Sequence, residues 1–164
     1  MDNNDIFRRL RFIFDLSDEK MIATFASAEC KVSRSQISDW LKKDDHEEFR
    51  NILDFQLATF LNGLINEKRG KREGEQAKPE KKINNNIVFK KLKIALNYRD
   101  EDILEIFKLV DMRISKTELS AFFRNPKQNQ FKPCKDQFIR NFLQGLQLKV
   151  VNEEKKSKSK KQSK

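Results

Sequence analysis

The stretch NNDIFRRLRFIF, residues 3–14, returns as NNIVFKKLKIAL at residues 85–96. The two asparagines, one Phe and one Leu are kept, and three arginines become three lysines at the same places. A shift of 82 positions aligns residues 3–67 with 85–149 without a gap. Fifteen of these pairs are identical, among them Phe7/Phe89, Leu10/Leu92, Phe25/Phe107, Ser33/Ser115, Phe60/Phe142 and Gly63/Gly145. Others exchange like for like, as in Ile37/Leu119 and Trp40/Phe122. A gapless match of that length marks a duplicated unit.

Each copy reads as four helices. Ile6, Leu10, Ile13 and Phe14 fall on one face of a first helix, as do Val88, Leu92, Ala95 and Leu96, at the i, i+4, i+7, i+8 spacing of an amphipathic stripe. Asn84–Asn86 suit its N-cap in the second copy. A second helix begins at Asp18-Glu19 or Asp100-Glu101, acids that favour the positive end of a helix dipole. A third begins at Ser33 or Ser115, with Gln36 or Glu118 three residues on, the pattern of a capping box. Leu57, Phe60, Leu61 and Leu64 line a fourth, matched by Ile139, Phe142, Leu143 and Leu146, and Pro133 suits its first turn in the second copy. Gly63 and Gly145 lie inside this helix, where glycine costs up to ~1 kcal/mol against alanine. Their recurrence predicts that another helix crosses closely there.

The expectation is therefore an all-α protein of two tandem homologous four-helix domains. Domain 1 spans 1–67, a basic charged linker 68–83, domain 2 84–149, and a disordered Lys-rich tail 150–164. The tail holds many lysines and almost no apolar residue, a composition that does not pay for ordering. Four Gly and three Pro in 164 residues leave long unbroken runs, which also favour helices. No apolar run approaches the ~20 residues that span a bilayer, and the N-terminus lacks the apolar core of a secretory signal. Cys30 and Cys134 form no CxxC pair and read as free or buried thiols of a reducing compartment. The expected location is the cytoplasm, with no membrane partner.

Net charge is +10, distributed unevenly: −4 over 1–67, +4 over 68–83, +6 over 84–149 and +4 over 150–164. A basic linker, domain and tail attract polyanions through counterion release, without any reading of sequence. Candidate nucleic-acid contacts are Arg8, Arg9, Arg11, Arg34, Lys68, Arg69, Lys71, Arg72, Lys90, Lys91, Lys93 and Lys116. Nearly every aromatic residue fits a core stripe, so base-stacking platforms are not evident. The segment VSRSQISDWLKK after DEKMIATFASAE also resembles a helix-turn-helix unit. Against that, no glycine stands in the turn, and Asp39 on the presented face repels phosphate.

Catalysis finds little support. There is one His, with no nucleophile pairing, phosphate loop or zinc spacing around it. His46 lies among Asp44, Asp45, Glu47 and Glu48, yet the second copy has no metal ligand there, so an exposed acidic loop is the plainer reading. No catalytic residue, cofactor or metal is expected. A protein–protein adaptor is the rival to nucleic-acid binding, with Phe12 and Phe55, off the main stripes, as contacts.

The words NNDIFRRLRFIF, SQISDWLKKDDHEEF, FLNGLINEKRGK and INNNIVFKKLKIA resemble the bacterial YehS-like family, built from two copies of the domain of unknown function 1456. The resemblance spans nearly all of residues 1–149. It implies two tandem helical domains in a small bacterial cytoplasmic protein. It implies no activity and carries over no site residues.

Overall fold

A computed structural model describes residues 1–162 of the chain. Eight helices and no strand occur among the described residues. They are α1 (Asn3–Ile13), α2 (Asp18–Ser27), α3 (Arg34–Leu41), α4 (Asp54–Arg69), α5 (Asn85–Leu96), α6 (Asp100–Lys108), α7 (Lys116–Phe122) and α8 (Asp136–Gln162). Each start from α5 onward falls 82 positions after its counterpart in α1–α4.

Local chemistry explains the starts. Ser33 Oγ accepts from the Gln36 amide at 3.1 Å, and Gln36 Oε1 accepts from the Ser33 amide at 2.9 Å. Ser115 Oγ likewise accepts from the Glu118 amide at 3.1 Å. Asn84 Oδ1 caps α5 through the Ile87 amide at 2.9 Å. The turns repeat as well: among the described residues the non-glycine positions at positive φ are Asp15/Asn97 and Glu29/Asp111, two equivalent pairs. Pro133 stands three residues before α8 rather than in its first turn, which Asp136 occupies.

The chain forms two compact units, Met1–Asn97 and Tyr98–Lys164. In the first, Phe7, Phe25, Trp40 and Phe60 make a tilted and edge-to-face cluster with centroids 4.9–6.2 Å apart. Leu10, Met21, Ile37 and Leu57 complete it, all with no exposed surface. Each such side chain contributes about 1.5–3 kcal/mol on burial. The second unit packs Ile103, Phe107, Leu119, Phe122, Ile139, Phe142 and Leu146, with Phe107 against Phe142 at 6.1 Å and Phe122 against Phe138 at 5.1 Å. Buried positions pair through the repeat: Phe7 and Leu10 of α1 answer to the buried Phe89 and Leu92 of α5, and Phe25, Ile37 and Phe60 to Phe107, Leu119 and Phe142. Gly63 and Gly145 do mark close crossings: a Cβ on Gly63 would stand 2.8 Å from the Thr24 carbonyl carbon, and one on Gly145 2.5 Å from Ile106 O. Thr24 and Ile106 are themselves repeat equivalents.

The first unit continues past the charged segment through α5, which packs on α4. Ile83 N donates to Asp54 Oδ2 at 3.1 Å and Lys91 Nζ to Asn62 Oδ1 at 2.6 Å, so the two helices run parallel. Residues 70–84 hold no helix, yet they are tied back: Lys71 to Glu29 at 3.7 Å, Gln76 to Asn66 at 3.3 Å and Glu80 to Lys91 at 3.0 Å. The tail, expected to be disordered, is helical through Gln162 as the end of α8. Lysine and glutamate are good helix formers and no Gly or Pro interrupts the run, so the helix propagates although residues 151–160 are exposed. The last two residues of that expected tail, 163–164, lie outside the described residues.

Candidate functional site

The basic candidates divide by what they touch. Arg8 bridges Asp5 at 2.9 Å and Asp44 at 3.2 Å. Arg11 pairs with Asp18 at 2.8 Å, which gives the recurrent acid at the start of α2 a partner as well as a place on the dipole. Arg34 pairs with Glu19 at 3.0 Å, and Lys116 with Glu101 at 2.9 Å. Hydrogen bonding to Glu101 raises the Lys116 pKa and lowers that of its partner. Lys71 stands 3.7 Å from Glu29. These cations carry local counter-charges and offer less to an incoming phosphate.

The first-helix faces are therefore uneven. Arg9 forms no ion pair among the described residues, but its Nε is buried without an acceptor. On α5, Lys90 is exposed, whereas Lys91 and Lys93 are half-buried. Lys91 spends its ammonium on Asn62 and Glu80. Lys68 lies with its ammonium 4.3 Å from the Phe14 ring centre. Partial loss of water there draws its pKa down. Arg69 is exposed, and Arg72 donates to the Glu75 carbonyl at 3.3 Å.

Further features resolve into structural roles. The α2–α3 pair is present, but the left-handed residue of its turn is Glu29 or Asp111 rather than a glycine. Lys42 sits between Asp39 and Glu48, each at 2.8 Å, and both hydrogen bonds raise its pKa. His46 Nδ1 accepts the Glu48 amide at 3.1 Å. No group of three His, Cys, Asp or Glu side chains placed to hold a metal occurs among the described residues. Cys30 and Cys134 are free thiols. Burial pushes both up, Cys134 to about 12 with the Asp136 charge adding to the effect.

Asn4 escapes a reading by charge, although its presence in both repeats is a signal. It is buried and fully used: Nδ2 donates to Trp40 O and Arg50 O, both at 2.9 Å, while Oδ1 accepts from Ile52 N at 3.2 Å. It pins the loop between α3 and α4 to α1. Asn3 donates to Asp54 Oδ1 at 2.7 Å, and this bond with the Ile83 amide holds the Asp54 carboxyl below its usual range.

A family profile described as "Protein of unknown function (DUF1456)" matches residues 3–70 and again residues 85–150. The chain belongs to the DUF1456 family. Each DUF1456 match covers one set of four helices, α1–α4 and then α5 to the middle of α8. Beyond the second match lies the exposed basic end of α8. This DUF1456 chain is 44% identical over 147 residues to "Uncharacterized protein YehS" of Escherichia coli (strain K12), covering 89% of the chain and 94% of that protein. No solved structure matches. No helix among the described residues is long and apolar enough to cross a membrane.

Proposed function

We propose that this chain is a cytoplasmic, non-enzymatic nucleic-acid-binding protein that holds the phosphate backbone of RNA or DNA without reading bases. One observation supports it above the rest. From the last residue of α4 into α5, Arg69, Lys78, Lys81 and Lys90 are exposed and have no carboxylate partner among the described residues. Lys155, Lys156 and Lys158 are in the same position on the end of α8. Cations without a counter-charge release condensed ions on meeting a polyanion, and those already paired gain less. The working surface of this proposal thus shifts from the first-helix arginines to these two basic stretches. A mobility-shift assay with structured RNA and with duplex DNA tests it. Binding is expected at ~50 mM salt and is expected to fall steeply toward ~200 mM; no shift at the lower concentration defeats the proposal.

A second reading, a protein–protein adaptor, draws on Phe12 and Ile94. These are repeat equivalents and remain 68% and 43% exposed. Two large apolar side chains in water at the same place in each repeat suit a protein contact. A partner that survives nuclease treatment and is lost with Phe12→Asp supports the adaptor over nucleic acid.

A further inference from the structure

We infer that a cleft at the C-terminal end of α4 binds the phosphate group of a small phosphorylated ligand. The cleft holds about 370 Å³, within the range of small-molecule sites. Asn62, Asn66, Arg69, Arg72 and Gln76 supply its polar wall, and Ile65 is part of its apolar floor. No carboxylate lines it.

Asn62 carries the inference. The side chain is 7% exposed, and its Nδ2 is buried with no acceptor among the described residues. Its orientation is fixed by chemistry: Oδ1 accepts from Lys91 Nζ at 2.6 Å, and an ammonium can only donate. The amide cannot rotate to relieve its orphan NH2 without turning that group on Lys91. A buried donor with no acceptor has lost its water without compensation, so a group supplying an oxygen there is favoured. Two guanidiniums on the rim select an oxyanion, and their forked donors match phosphate. The C-terminal carbonyls of α4 oppose an anion, and Lys68 and Arg69 in its last turn offset that field. Gln76 spans the wall of the cleft: its Nε2 donates to Arg72 O at 2.6 Å and Gly74 O at 3.2 Å, while its Oε1 accepts a longer bond of 3.3 Å from Asn66, the bond that an entering oxyanion would replace. The site does not depend on polynucleotide binding, since it needs only one phosphate and lies within one compact unit.

The test is a titration of the full chain with inorganic phosphate, followed by nitrogen-edited NMR at constant ionic strength. A saturable shift of the Asn62 side-chain amide is expected. AMP should bind at least as tightly as phosphate, and adenosine should not bind. The exposed pair Arg69→Gln/Arg72→Gln should keep the melting temperature and raise the Kd about tenfold or more. Asn62→Asp keeps the acceptor for Lys91 but places a charge where the donor stood, and should abolish the phosphate-dependent shifts of the Asn66 and Gln76 side-chain amides, which remain as reporters in that variant. A shift that never saturates, one that survives the double substitution, or an equal response to acetate overturns the assignment.

Discussion

At the residue scale, backbone strain and buried polar bonds make definite demands. Glu29 and Asp111 hold φ of 60° and 55°, a region that penalises side chains branched at Cβ. Glu29→Val should lower unfolding free energy by about 1 kcal/mol or more, while Glu29→Gly should leave it near or above wild type, measured by urea titration. Asp54 sets an acid limit. Its folded pKa is depressed, so its contribution is present above the unfolded carboxylate pKa and is lost as pH falls through the lower folded value. Unfolding profiles between neutral pH and pH ~3 should show that loss, and Asp54→Asn should flatten it. Arg11 shows what sequence left hidden at this scale. It reads as a free basic residue because Asp18, its partner, lies across the α1–α2 turn at the start of the next helix. Only the recurrence of Asp18 as Asp100 hinted at a shared role. Ser33, by contrast, was legible because a capping box is local chemistry spelled within four residues.

At the element scale, the glycines of α4 and α8 are the sharpest test of the duplicated packing. Gly63→Ala and Gly145→Ala each drive a methyl into a backbone carbonyl of α2 or α6. Each should cost about 2 kcal/mol or more, where an alanine in an uncrowded helix would be expected to stabilise. The crossings were legible in the sequence because a glycine inside an apolar stripe weakens its helix, a loss that a close neighbour offsets. The helical end of α8 was not. Composition reports that a segment has no core to join, but not whether an existing helix propagates into it. A chain ending at Val150 should lose helical signal in far-ultraviolet circular dichroism while its melting temperature stays within about 2 °C. The packing of α5 on α4 was equally hidden, since a charged segment looks like a spacer until Ile83, Glu80 and Gln76 are seen bonded to their partners.

At the scale of the whole molecule, formal charge does not tell which cations are already paired, as Arg8, Arg11, Arg34 and Lys116 are. The duplication was readable because equivalent positions keep equivalent side chains, and eight helices at a constant offset follow from it. The cleft beside Asn62 was unreadable because its counterpart is Gln144, so the repeat gives no signal there. Polyanion binding, as proposed, turns on the difference between cations that already have a carboxylate and those that do not. The most direct measurement compares the salt dependence of RNA affinity in two variants of the full chain. Lys78→Gln/Lys81→Gln should weaken binding and reduce the slope of log affinity against log salt by about one per lysine in contact, while Arg11→Gln leaves both near wild type. An unchanged slope in the lysine variant, with the loss falling on Arg11→Gln instead, would contradict the proposal.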